Sequence, residues 1–244
     1  MTTLPEGIFW LHIKKSGGTS VRKVLGPLYQ EVDRKKQPAN FIQSPKKCWN
    51  DILNNYRIPL GEYQFRRSFF AREYLYSSDW DQRFKFAFCR EPTDRCLSQF
   101  FYLHFRSGTR NTITRRTRML GKFDFGSELS YEFDRFLERI AKSRASKSNY
   151  RPEGLHFQTH TAAMWDDVTC DKGIVILDRI YRLEEMADGL NEVFEIFGMP
   201  RQGADQLPRA NTGEKRSFQL SKEQRTKVED LFAKDFDLYE GCAR

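Results

Sequence analysis

The chain has 244 residues, of which 39% are hydrophobic, with 21 Phe and 10 Tyr and a formal net charge of +8. That length suits one domain spanning residues 1–244, since a single core keeps growing to roughly 250 residues, and the apolar content excludes a disordered chain. A basic surface suits an anionic partner, but charge alone does not choose among nucleic acid, acidic lipid and a phosphorylated or sulfated small molecule. No apolar run approaches the roughly 20 residues that cross a bilayer, and the start, MTTLPE, lacks the basic-then-apolar layout of a signal peptide. Cys48, Cys89, Cys96, Cys170 and Cys242 are scattered with no CxxC pair, so neither a zinc site nor a disulfide framework is indicated. The expectation is a cytoplasmic protein without a membrane span; the alternative is a lumenal domain separated from its anchor.

In chain order, residues 7–13 (GIFWLHI) read as a short buried strand that runs into a Gly-Gly turn, and residues 19–25 as a helix stopped by Gly26-Pro27. Ser44-Pro45 reads as an N-cap with proline in the first turn, opening a helix to about Tyr56. A helical stretch is expected over residues 74–80. Residues 84–89 (FKFAFC) predict a second strand, and residues 92–105 a helix with Leu97, Phe100, Phe101 and His104 on one face. Residues 129–142 are amphipathic, with Phe133, Phe136, Leu137 and Ile140 at helical spacing. Residues 173–177 (GIVIL) predict a third strand, residues 183–197 a helix closed by Gly198 and Pro200, and Ser221 with Gln224 a capping box on a last helix to about Asp237. This alternation predicts an α/β domain around a mostly parallel sheet, with ligands at the carboxyl ends of its strands.

The stretch from Leu11 to Ser20 (LHIKKSGGTS) places a strand, a glycine bend and a helix in succession. Amides at a helix N-terminus are unpaired and carry partial positive charge. Gly17 and Gly18 let that backbone close on an anion, Ser16, Thr19 and Ser20 add hydroxyls, and Lys15 adds a full charge. A Walker A loop needs its lysine after the last glycine, and here the lysine precedes both. A second stretch, residues 86–98 (FAFCREPTDRCLS), puts Arg90 at a strand end and Ser98 eight residues later on the following helix. A guanidinium there forks onto a phosphate and a serine hydroxyl completes the grip. Either stretch alone also fits an ordinary turn or a surface ion pair; together they make a two-phosphate site.

The first stretch resembles the 5′-phosphosulfate loop of the sulfotransferases that use 3′-phosphoadenosine 5′-phosphosulfate (PAPS), in the carbohydrate-modifying branch, and the second resembles their 3′-phosphate motif. The order agrees, and weaker likeness continues through Gln158, Arg182-Leu183-Glu184, Asn211-Thr212 and the closing run from Asp235 to Tyr239. The resemblance implies a P-loop-like fold and transfer of a sulfuryl group from PAPS to an acceptor hydroxyl such as a saccharide. It implies PAP as product and no metal. It also implies that Lys15 stabilises charge on the leaving bisphosphate, that Gly17, Gly18, Thr19 and Ser20 bind the 5′-phosphate, and that Arg90 and Ser98 hold the 3′-phosphate. Lys215 and Arg216 match the loop that closes over the nucleotide.

A hydroxyl acceptor must lose its proton, and a His or Glu within reach usually takes it. Many relatives carry a histidine between the two motifs; this chain has none between His12 and His104. Glu73 and His156 are the candidate bases. His12 is expected to pack at the strand end. His156 and His160 share a helical face, an arrangement more often structural than metal-binding. Between His104 and Lys122 lie Arg106, Arg110, Arg115, Arg116 and Arg118 with no acidic residue. This is either a solvated face or the lining of an acceptor groove in which Arg115, Arg116 and Arg118 steer an anionic acceptor. Three rivals stay open: a P-loop nucleotide kinase, a nucleic-acid-binding module, and a degenerate member that binds PAPS or PAP without turnover. Against the second, the cations are not interleaved with aromatics in a recognisable binding motif.

Overall fold

Two apolar strands with opposite faces buried generate a three-layer arrangement. The computed structural model describes residues 7–33, 40–106, 125–145, 154–201 and 218–242. Strands β1 (Gly7–Leu11), β2 (Arg83–Cys89) and β3 (Arg179–Arg182) form a parallel sheet in the order β1-β2-β3. Leu11 sits opposite Ala87, and Cys89 opposite Arg182. Because side chains alternate along a strand, Phe9, Leu11, Ala87 and Cys89 enter one core, while Ile8, Trp10, Phe86 and Phe88 enter the other. The predicted α/β class with a parallel sheet is what the chain forms.

Helix α1 (Gly18–Leu25) follows β1 and buries Val21, Val24 and Leu25 on the second core. Next come α2 (Trp49–Leu53) and α3 (Arg67–Phe70), the latter running on as a π-helical turn over Ala71–Leu75. Helix α4 (Pro92–Arg106) follows β2, and Glu91 caps it by accepting from the Thr93 amide at 3.0 Å and the Asp94 amide at 2.6 Å. Helices α5 (Phe125–Ala145), α6 (Leu155–Thr161) and α7 (Met164–Val168) precede β3, and α8 (Met186–Ile196) follows it. The chain continues into α9 (Lys222–Leu231) and α10 (Ala233–Gly241). A third core joins Phe100 of α4, Phe133 and Phe136 of α5, Phe157 of α6 and Val228 of α9. Among the described residues no helix is long and apolar enough to cross a membrane.

Four expectations are corrected. Residues 174–177 do not join the sheet. Gly173, at φ +71°, turns them back onto residues 168–170, where the Ile176 amide bonds to Val168 O and Ile174 O accepts from the Cys170 amide. Sheet pairing starts only at Asp178, whose amide reaches Lys85 O at 2.8 Å. Ser44 does not cap a helix: its hydroxyl donates to Asn40 O, a 3₁₀ turn intervenes, and α2 ends at Leu53 rather than Tyr56. Helical backbone ends at Leu75 instead of running over residues 74–80, because Tyr76 to Gln82 form turns. The Ser221–Gln224 capping box is present, but Phe232 at φ −122° breaks the last helix into α9 and α10.

Candidate functional site

Helix α2 fixes the glycine-bearing loop after β1 from outside the sheet. Asn50 and Asn54, one turn apart, act on the free edge of β1 as a neighbouring strand would. The Trp10 amide donates to Asn50 Oδ1, Asn54 Nδ2 donates to Trp10 O, and the His12 amide donates to Asn54 Oδ1, all within 2.8–2.9 Å. Lys14 is buried, and its ammonium donates to Asn54 O at 2.5 Å and to His12 Nδ1 at 3.4 Å. That bond makes Nδ1 the acceptor, so the neutral His12 ring carries its proton on Nε2. The ring stacks on Trp10 with centroids 5.2 Å apart. A Cβ on Gly18 would overlap this imidazole, so only glycine lets α1 start here.

Within the loop, Lys15 has φ +70° and Gly17 φ +75°. Left-handed backbone costs a non-glycine residue about 1–2 kcal/mol, so the Lys15 conformation is held by its surroundings. Left-handed residues at 15 and 17 bend the loop into a concavity of the kind that forms anion nests. The Ser16 amide is taken by Ile13 O at 3.3 Å, and the opening turn of α1 supplies further amides. Ser16 Oγ is buried with no protein partner, Ser20 is buried as well, and Thr19 is exposed. Leu183 and Met186, following β3, cover Gly17.

Arg90 leaves β2 at the same edge of the sheet, one strand over. It is partly exposed, with Asp94 at 3.8 Å. Ser98 is half-buried on α4. Glu91 occupies the Thr93 and Asp94 amides, and Arg90 carries the positive charge that β2 brings to this end. The two stretches singled out in the sequence thus sit side by side.

Sequence reasoning missed the aromatic wall beside Lys15. Arg95, Gln99 and Tyr102 fall at i, i+4 and i+7 on α4, and Lys15 Nζ lies 4.3 Å from the Tyr102 ring centroid. Tyr102 stacks on His160 at 4.8 Å, His160 lies 4.4 Å from His156, and Tyr56 meets both histidines. His160 Nδ1 meets His156 O at 2.7 Å; a carbonyl only accepts, so Nδ1 carries the proton. Burial, with help from Lys14, pushes His160 down to about 2. Burial and then Lys14 and Arg57 also lower His156, leaving both imidazoles neutral near pH 7.

Glu73 lies in the π turn, 43% exposed, paired with Arg72 at 2.8 Å. Its neighbours are the Tyr63–Tyr74 pair on the outer surface. Arg115, Arg116, Arg118, Lys215 and Arg216 lie outside the described residues. Among the described residues no group of three or more His, Cys, Asp or Glu could hold a metal ion.

The family model described as "Sulfotransferase family" matches residues 2–240. No curated protein and no solved structure gives a significant match. With that model spanning nearly the whole chain, and with a lysine-led glycine cradle and an arginine at adjacent strand ends, the chain belongs to the sulfotransferase family.

Proposed function

We propose that the protein transfers a sulfuryl group from PAPS to an acceptor hydroxyl, with the cradle of Lys15, Ser16, Gly17, Gly18, Thr19 and Ser20 holding the 5′ end of the nucleotide and Arg90 with Ser98 the 3′-phosphate. The observation that carries it is the buried Ser16 hydroxyl, left without a protein partner inside a nest of left-handed backbone. A buried hydroxyl without a partner costs about 1–3 kcal/mol, and an anionic oxygen brought into the nest relieves that cost. Bound PAPS supplies an activated sulfuryl group whose leaving group is a bisphosphate.

The chain contributes positioning and charge, as in phosphoryl transfer. Lys15 brings a preorganised cation to the place where negative charge grows, a role whose loss typically costs about 100- to 1,000-fold in rate. His156 is the group we assign as proton acceptor. It is neutral, partly exposed, and shares a wall with the ring that carries Lys15. Glu73, tied to Arg72 on the outer surface, is less well placed. The acceptor would lie against Tyr56, Tyr102 and His156, since flat rings suit the apolar face of a saccharide.

Thermal unfolding with adenosine 3′,5′-bisphosphate or with ATP and Mg²⁺ tests the proposal on wild type, Lys15→Ala and Arg90→Ala. The bisphosphate should raise the melting temperature more than ATP does, with the preference lost in Arg90→Ala. Equal stabilisation by both ligands would point to a nucleotide kinase and reject the assignment.

A further inference from the structure

Two arginines are almost wholly buried, and each ends on the phosphate loop. Arg67 forks onto Asp167, Nε to Oδ1 at 2.9 Å and Nη2 to Oδ2 at 2.6 Å, while its Nη1 donates to His12 O at 3.0 Å. Arg95 places Nη1 3.4 Å from Asp235 Oδ2, donates from Nη2 to Ala162 O at 2.8 Å, and donates from Nε to Lys14 O at 3.1 Å. Asp235 in turn accepts from the Met164 and Trp165 amides at 3.0 and 2.9 Å.

Buried ion pairs are seldom retained for stability, because desolvation offsets their attraction and an apolar replacement often serves as well. What an apolar pair cannot do is bond to a carbonyl. Among the described residues Lys15 is the one non-glycine residue at positive φ, and no peptide bond is cis. In a trans peptide the Lys14 carbonyl and the Lys15 amide point in opposite directions. Arg95, by drawing Lys14 O inward, turns the Lys15 N–H out toward the nest. Arg67 holds His12 O at the start of the bend, where the Ile13 amide stays bonded to Leu11 O at 3.0 Å.

We propose that Arg95–Asp235, seconded by Arg67–Asp167, is a positioning device that fixes the left-handed turn at Lys15 and aims its amide at the nucleotide's 5′-phosphate. The inference rests on the loop being the nucleotide site. Neither arginine touches the ligand; both act through the loop backbone.

Calorimetric titration with adenosine 3′,5′-bisphosphate, beside urea unfolding of the ligand-free protein, tests it on Arg95→Lys and on the double variant Arg95→Met/Asp235→Leu. Both variants should keep a cooperative unfolding transition. The dissociation constant should rise at least tenfold in the double variant and by less in Arg95→Lys, which retains charge and one set of donors. Binding within twofold of wild type in a folded double variant overturns the inference. Loss of the cooperative transition in both variants overturns it as well, since the pair would then be holding the fold. Failure of wild type to bind the bisphosphate removes the nucleotide site itself, a result distinct from either.

Discussion

His156 and His160 lie one helical turn apart, yet only one is open to an incoming molecule. His160 is buried against Tyr102 and donates its Nδ1 proton to the backbone, while His156 keeps a partly exposed ring. If His156 takes the acceptor's proton, kcat should fall on the acid side through a pKa below the ordinary 6.5 of histidine, because its surroundings lower it. His156→Gln should lower kcat about 100-fold or more, within the usual range for a lost general base, and remove that acid limb while leaving bisphosphate affinity unchanged. A limb that persists in the variant assigns the proton to another group. At this scale the sequence was legible where a residue type carries its own geometry. Paired glycines after a strand announce a turn into a helix, and Gly17 at φ +75° makes that turn just before Gly18 opens α1. Arg67, Arg95 and Tyr102 were not legible, because an arginine in a one-dimensional string does not reveal that it is buried, and surface ion pairs are far commoner. The i, i+4, i+7 spacing of Arg95, Gln99 and Tyr102 was the available signal.

Helix α2 has only five residues, yet it satisfies the outer edge of β1 through two asparagines. Asn54→Ala should cost about 1–3 kcal/mol in urea unfolding, because it leaves buried backbone groups of Trp10 and His12 unpaired. Bisphosphate affinity should fall with it, since Lys14 reaches the backbone of the same residue. Retention of both would mean that water replaces the amide. Elements were read well where periodicity and punctuation agree, as in α1, α4, α5 and α8. They were misread where an apolar run found its hydrogen bonds locally. Residues 174–177 have the composition of a central strand, but the turn at Gly173 closes them on residues 168–170, leaving the more polar Arg179–Arg182 to extend the sheet. Composition reports what a segment buries; backbone pairing depends on what lies within reach.

Over the whole molecule, acid should loosen the fold through its histidines. His160 sits near 2 when folded and near 6.5 when unfolded, so between those values the unfolded chain alone binds the proton. Stability is therefore complete above pH 6.5 and declines as the pH falls below it, by at most about 1.4 kcal/mol per pH unit from this residue. Urea midpoints from pH 7.5 to 5 should show the decline, with a shallower slope in His160→Gln; equal slopes would mean that the ring takes up a proton without unfolding. The parallel α/β plan was legible at this scale because alternation of strands and helices survives local errors. The clamp across the molecule was not, since nothing in the string links position 14 to position 235.

That link has a consequence for synthesis. A nascent chain exposes its lysine and glycines early, while the aspartate that steadies them is translated 221 residues later, roughly 10–45 s at ordinary elongation rates. Until α10 emerges and docks, Arg95 lacks its carboxylate partner and Lys14 O lacks the completed grip. The backbone at Lys14 thus takes its final form only after residues 14 and 235 have both left the ribosome.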